Sequence, residues 1–155
     1  MQYLRTAIMC SLLVFTLLLG GCSPKAQIYS TDDIQAFMDA GVFDGEMAQV
    51  ESSVIVLLYG IDADTVEECI SYQATNSAVS ADEVTILILT DEEAAQAAEA
   101  ACQERVESQI KTCQYYCPSA VPSLEAAVID RVDNTVLLAV GNPNTLPAAV
   151  DKLHK

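Results

Sequence analysis

The feature that most constrains this chain is the run Val84-Thr85-Ile86-Leu87-Ile88-Leu89, followed at once by Thr90-Asp91-Glu92-Glu93. The run is apolar on nearly both faces, which makes it a strand in the centre of a sheet. Thr90 to Glu93 reads as a capping box and opens a long helix reaching about Gln114. Along that helix Ala94, Ala98, Cys102, Val106, Ile110 and Cys113 recur at spacings of four and three, forming one apolar stripe. Pro118 and Pro122 end it. If this amphipathic helix turns back over the sheet, its level against the strand can be worked out.

That geometry yields a contact. The strand from Glu83 to Thr90 climbs roughly 23 Å. A helix starting at Asp91 and descending about 1.5 Å per residue regains the level of Glu83 near position 106. Arg105 lies one residue away, with Ser108 and Gln109 beside it. An ion pair between Glu83 and Arg105 is therefore expected, partly exposed and contributing about 0 to 1 kcal/mol. Glu83, Arg105, Gln109 and Tyr116 form the candidate structural or ligand cluster.

The remaining elements follow from local pattern. A first helix starts near Ser30 or Thr31, with Ile34, Phe37 and Met38 inward and Gly41 as its stop. Val54 to Leu58 is a short apolar run that fits helix or strand equally. Glu68 to Ala74 reads as a strand. Ala127 to Val132 and Thr135 to Val140 form a hairpin about Asp133-Asn134, and a last helix covers about Leu146 to Leu153. The expected class is α+β: an antiparallel sheet of about four strands in two hairpins, with helices on one face. The order is helix-strand-strand-helix-strand-strand-helix.

The N-terminus carries an address. Arg5 precedes 14 mostly apolar residues, Thr6 to Leu19, and then Leu19-Gly20-Gly21-Cys22. Fourteen residues is short of the roughly 20 that span a bilayer and fits a signal-peptide core. The ending resembles a lipobox, which implies a diacylglyceryl group on Cys22 and cleavage before it. The expected organisation is a signal peptide over 1–21, lipidated Cys22 with a tether to residue 30, and one domain over 31–155. Lipidation would hold the protein on the outer face of the cell membrane. The chain has 7 Lys and Arg against 22 Asp and Glu, a formal charge of −15. Without a basic stripe to displace phosphate counterions, nucleic acid is excluded as a partner.

Tyr59-Gly60-Ile61, Asp82-Glu83 before the strong strand, Arg105-Val106-Glu107-Ser108-Gln109, Tyr116-Cys117-Pro118 and the VLLAV strand form an ordered set of marks. On these, from about Ile34 to Leu153, the chain resembles a family of small lipoproteins from Gram-positive bacteria. That family is catalogued as domain of unknown function four-three-five-eight. The resemblance implies a surface-anchored domain and assigns no activity. This chain departs in its wealth of cysteine and in the apolar Val54 to Leu58.

Candidate chemistry is sparse. With Cys10 in the signal and Cys22 lipidated, Cys69, Cys102, Cys113 and Cys117 remain. Cys102 and Cys113 lie about 16 Å apart along one helix and cannot bond each other; both are expected buried and reduced. Cys113 and Cys117 would form a disulfide if the helix unwinds before Pro118, or would join Cys69 around a soft metal. Asp62, Asp64, Glu67 and Glu68 fail the calcium-loop pattern at its sixth and twelfth positions and read as a solvated turn. Tyr59, Tyr72, Tyr115 and Tyr116 are candidates to line a ligand groove. The only His is His154, and there is no phosphate-binding loop or serine elbow. The expectation is a binding or interaction module at the envelope, for an envelope protein or small ligand. It has no catalytic residues, cofactor or metal. The alternatives are a thiol-redox or metal-binding protein using Cys69, Cys113 and Cys117, and an envelope enzyme with carboxylate catalysis.

Overall fold

The computed structural model describes residues 29–153. The expected signal segment 1–21, Cys22 and most of the tether lie outside them. Five strands form one antiparallel sheet: β1 (Met47–Val50), β2 (Val66–Ala74), β3 (Glu83–Leu89), β4 (Val128–Val132) and β5 (Thr135–Val140). Their spatial order is β1-β2-β3-β5-β4, which puts β3 in the middle. The helices are α1 (Asp33–Asp39), α2 (Ser52–Tyr59), α3 (Glu92–Tyr116), α4 (Val121–Glu125) and α5 (Leu146–Leu153). The α+β class holds, and β1 adds a fifth strand to the two hairpins. Among the described residues no helix is long and apolar enough to cross a membrane.

The expectation of helices on one face is corrected. All six residues of β5 are buried, as are six of the seven in β3. Strands buried on both sides need cover on both sides. On one face α2, α3 and α4 close over Leu87, Leu89, Val136 and Leu138. On the other, Tyr29, α1 and α5 close over Val84, Ile86, Leu137 and Ala139. Tyr29 is itself buried, so the folded domain begins before the expected boundary at Thr31.

Val54 to Leu58 belongs to a helix. In α2 only Ile55 and Tyr59 are buried, four residues apart on one row, while Val54, Leu57 and Leu58 face outward. The cap of α3 is Asp91, whose Oδ1 accepts from the Ala94 N–H at 2.8 Å. Thr90 lies one residue before that cap, and its N–H donates to the Thr65 carbonyl at 3.0 Å. Gly41 ends α1 as expected, with a φ of +64°. After β5 the chain passes so close to the loop behind α1 that a Cβ on Gly141 would meet the Val42 carbonyl oxygen at 2.7 Å. That carbonyl also accepts from the Asn142 N–H, pinning the two loops together.

Candidate functional site

Side chains alternate along a strand, so Glu83 and Thr85 share the α3-facing side of β3 with Leu87 and Leu89. Pairing with β2 sets Gln73 opposite Glu83 and Ser71 opposite Thr85. The long helix does turn back over the sheet and brings Arg105 onto Glu83. Arg105 Nη2 donates to Glu83 Oε2 at 2.9 Å, and its Nε to Oε1 at 3.1 Å. Glu83 Oε1 also accepts from the Tyr59 hydroxyl and from Gln73 Nε2 at 2.9 Å. Gln109 Nε2 reaches Oε2 at 3.4 Å. The Tyr59 hydroxyl meets that of Thr85, which meets Ser71, at 2.8 and 2.7 Å. A polar column thus runs from β2 to α3 through an otherwise apolar layer.

The pair is more buried than expected: the Glu83 side chain is 1% exposed and Arg105 13%. Burial alone would lower the affinity of Arg105 for its proton, but the hydrogen bonds and charge of Glu83 override it and hold the guanidinium charged. Its guanidinium carbon sits 5.2 Å from the Tyr59 ring centroid, a cation–π contact. Burial and the neighbouring Glu83 carboxylate push the Tyr59 hydroxyl well above its ordinary range, so it stays a donor.

A cavity of about 450 Å³ opens beside this column. Leu58 of α2, Ser77 and Ser80 of the β2–β3 loop, and Arg105, Gln109 and Thr112 of α3 wall it. A smaller hollow of about 90 Å³ adjoins it over Gln73 and Glu83. Gln109 Oε1 is buried there without a hydrogen-bond partner. Its amide nitrogen must face the carboxylate, which only accepts, so the oxygen is forced away from it.

The sequence profile of a family described as a domain of unknown function, DUF4358, matches residues 40–141. The chain belongs to this family. No curated protein and no solved structure matches it significantly. The matched span holds all five strands with α2 to α4, so Glu83, Arg105 and the cavity are inside the DUF4358 domain; α1 and α5 lie beyond it.

Within this DUF4358 domain the other candidate residues separate. Tyr116 is 83% exposed at the end of α3, past the cavity, and does not join Glu83, Arg105 and Gln109. The four tyrosines do not share a groove: Tyr59 is buried, Tyr72 packs on the opposite face, and Tyr115 and Tyr116 are exposed. All four described cysteines are free thiols. Cys69 lies beside Ser52 and Cys113 beside Cys117, and the three do not assemble into one site. Among the described residues no three His, Cys, Asp or Glu side chains are placed to hold a metal. Cys102 is fully buried, and burial, then Glu83, pushes its thiol up to about 12. Cys113 is only half-buried, contrary to expectation, because the stripe rises toward solvent at the helix end. Asp62 caps a short turn by accepting from the Asp64 N–H at 3.1 Å. Sequence reasoning missed Tyr59 and Gln73 as partners of Glu83, and Thr85 and Ser71 beyond them; for the three strand residues the signal was a pair of polar residues two apart, Glu83 with Thr85 and Ser71 with Gln73, in otherwise apolar strands.

Proposed function

We propose that the protein is a lipid-anchored domain on the outer face of the cell membrane that binds a polypeptide partner over the cavity. One observation carries this reading. The large hydrophobic side chains exposed among the described residues are Val54, Leu57, Leu58, Val79, Tyr115 and Tyr116. All six lie on the three segments that wall the cavity, or within one turn of them. Exposed apolar residues gathered about one concavity are the mark of an interaction site.

Two further features support it. The chain enters the domain at Tyr29, whose N–H donates to Thr135 Oγ1. Thr135 pairs with Ile88, five residues along β3 from Glu83, so the entry and the cavity are separated by roughly 17 Å of sheet. An anchor on that side leaves the cavity facing away from the bilayer. The described residues carry only Arg105, Lys111, Arg131 and Lys152 as cations, and the first three have carboxylate partners. A partner with an apolar segment and positive charge suits such a surface. Glu83 accepts from four side chains of its own domain, which leaves it poorly placed to act as a general base.

The test is a photoreactive side chain at Leu57 of the full chain in its own membrane. It yields a discrete cross-linked protein, while the same probe at exposed Lys152 does not. Equal products from both positions, or none from Leu57, overturn the reading. The anchor is tested apart from this: Cys22→Ala loses fatty-acid label, and label retained on the variant refutes lipidation there.

A further inference from the structure

Cys113 and Cys117 lie one turn apart at the end of α3, where the Cys117 N–H donates to the Cys113 carbonyl at 2.9 Å. Four residues of helical rise separate their Cα atoms by about 6 Å. A disulfide bridges Cα atoms roughly 4.4–6.8 Å apart. A regular helix would nevertheless hold the two Cβ atoms about 5–6 Å apart, more than the bond tolerates. Cys117 has left that geometry: its φ is −149° and its ψ 58°, and Pro118 starts the next turn. The Cys117 thiol lies near enough to Cys113 to raise the pKa of its neighbour. Exposure is graded in the useful direction, since Cys113 is half-buried and reachable while Cys117 is buried behind it.

We propose that Cys113 and Cys117 are a dithiol that closes to a disulfide on meeting an external disulfide, pinning the turn that carries Tyr115 and Tyr116. The Cys113 thiol loses its proton, and the thiolate attacks one sulfur of the external disulfide, expelling the other as a thiolate. Cys117, deprotonated in turn, attacks the Cys113 sulfur and expels the second thiolate. Two electrons pass to the external disulfide, and the two protons end on the released thiols. Burial pushes the Cys113 thiol up, and the adjacent Cys117 adds to this. Thiolate is therefore scarce near neutral pH, and closure is slow and accelerates as pH rises. The site is distinct from the polar column, but Cys113 also lines the cavity, so closure belongs to the protein with no partner seated there.

Trypsin cuts after Lys111 and Arg131, so one peptide, Thr112 to Arg131, holds both residues and no other cysteine. The full chain is incubated with oxidised glutathione under native conditions, alkylated and digested. The expected peptide has lost two hydrogens and carries neither alkyl group nor glutathione. In Cys117→Ser the intermediate is trapped, with glutathione left on Cys113. A wild-type peptide that keeps two alkylatable thiols, or ends with glutathione on Cys113 and Cys117 free, overturns the proposal. So does closure that occurs only in a urea-unfolded chain, since the fold would then not direct it.

Discussion

Replacing Arg105 by Met leaves the Glu83 carboxylate 1% exposed with no cation beside it. The change removes the contacts at 2.9, 3.1 and 3.3 Å and the guanidinium over the Tyr59 ring. Tyr59, Gln73 and Gln109 still donate, so the charge is solvated in part. Stripping one partner from a buried pair costs about 3–5 kcal/mol. Against a domain stability of roughly 5–15 kcal/mol, that predicts a fall in Tm of about 10–20 °C. Glu83→Gln costs less, about 1–2 kcal/mol, because Arg105 borders the cavity and swings its charge toward water. The double variant carries no unpaired charge, so its loss falls short of the sum of the two single losses by a coupling of about 1–3 kcal/mol. Urea unfolding followed by circular dichroism measures all three. A loss below about 1 kcal/mol for Arg105→Met, as for an exposed pair, refutes the argument. Strict additivity in the double variant refutes it equally.

Three other outcomes are expected. Cys102 holds its proton up to about 12 in the folded state, against an ordinary 9.0, so the unfolded chain ionises first. Stability is then fully present below pH 9 and falls by roughly 1.4 kcal/mol per pH unit above it; Cys102→Ala flattens the fall, and an unchanged slope of urea midpoint against pH refutes this. Gly141→Ala drives a methyl against the Val42 carbonyl and costs about 1–3 kcal/mol, measured by urea unfolding; a neutral result refutes the close approach. Leu57→Ser removes an 83% exposed side chain and shifts stability by less than about 0.5 kcal/mol, so a larger loss means that Leu57 supports the fold.

Much of the fold was legible because its strongest elements announce themselves locally. VTILIL, the Asp91 start and the Asp133-Asn134 turn each depend on neighbours in sequence. Once α3 is taken to turn back over the sheet, two rises per residue set Arg105 level with Glu83, which makes that pair legible. The sidedness of the sheet was not legible, since an apolar run says that both faces are covered without saying by what. The strand β1 is four residues, half-exposed at the edge, with no alternation to read. Val54 to Leu58 stayed open between helix and strand because three of its five apolar side chains face outward, so neither period fits. Tyr59 was weighed as a groove residue, yet its ring and hydroxyl belong to the column. That assignment needs the packing of α2 on β2, a long-range fact with no local mark.

The polar column also answers a problem that the apolar strands create. A sheet whose two central strands are buried on both faces gains nearly as much from a wrong register as from the right one. A slip of β2 by one residue on β3 would turn Ser71 and Gln73 to the far face, leaving Thr85 and Glu83 without them. Each lost partner costs about 1–3 kcal/mol for a buried polar group, and more for the carboxylate. The same penalty applies if α3 packs on the other face, where no Arg105 meets Glu83. The column therefore does more against competing arrangements than for the native one, the best-attested use of buried polar groups. On this argument the Glu83→Gln, Arg105→Met double variant keeps much of its stability while losing the choice among registers. Its amide NMR spectrum would then broaden along β2 and β3, where the wild-type spectrum is sharp.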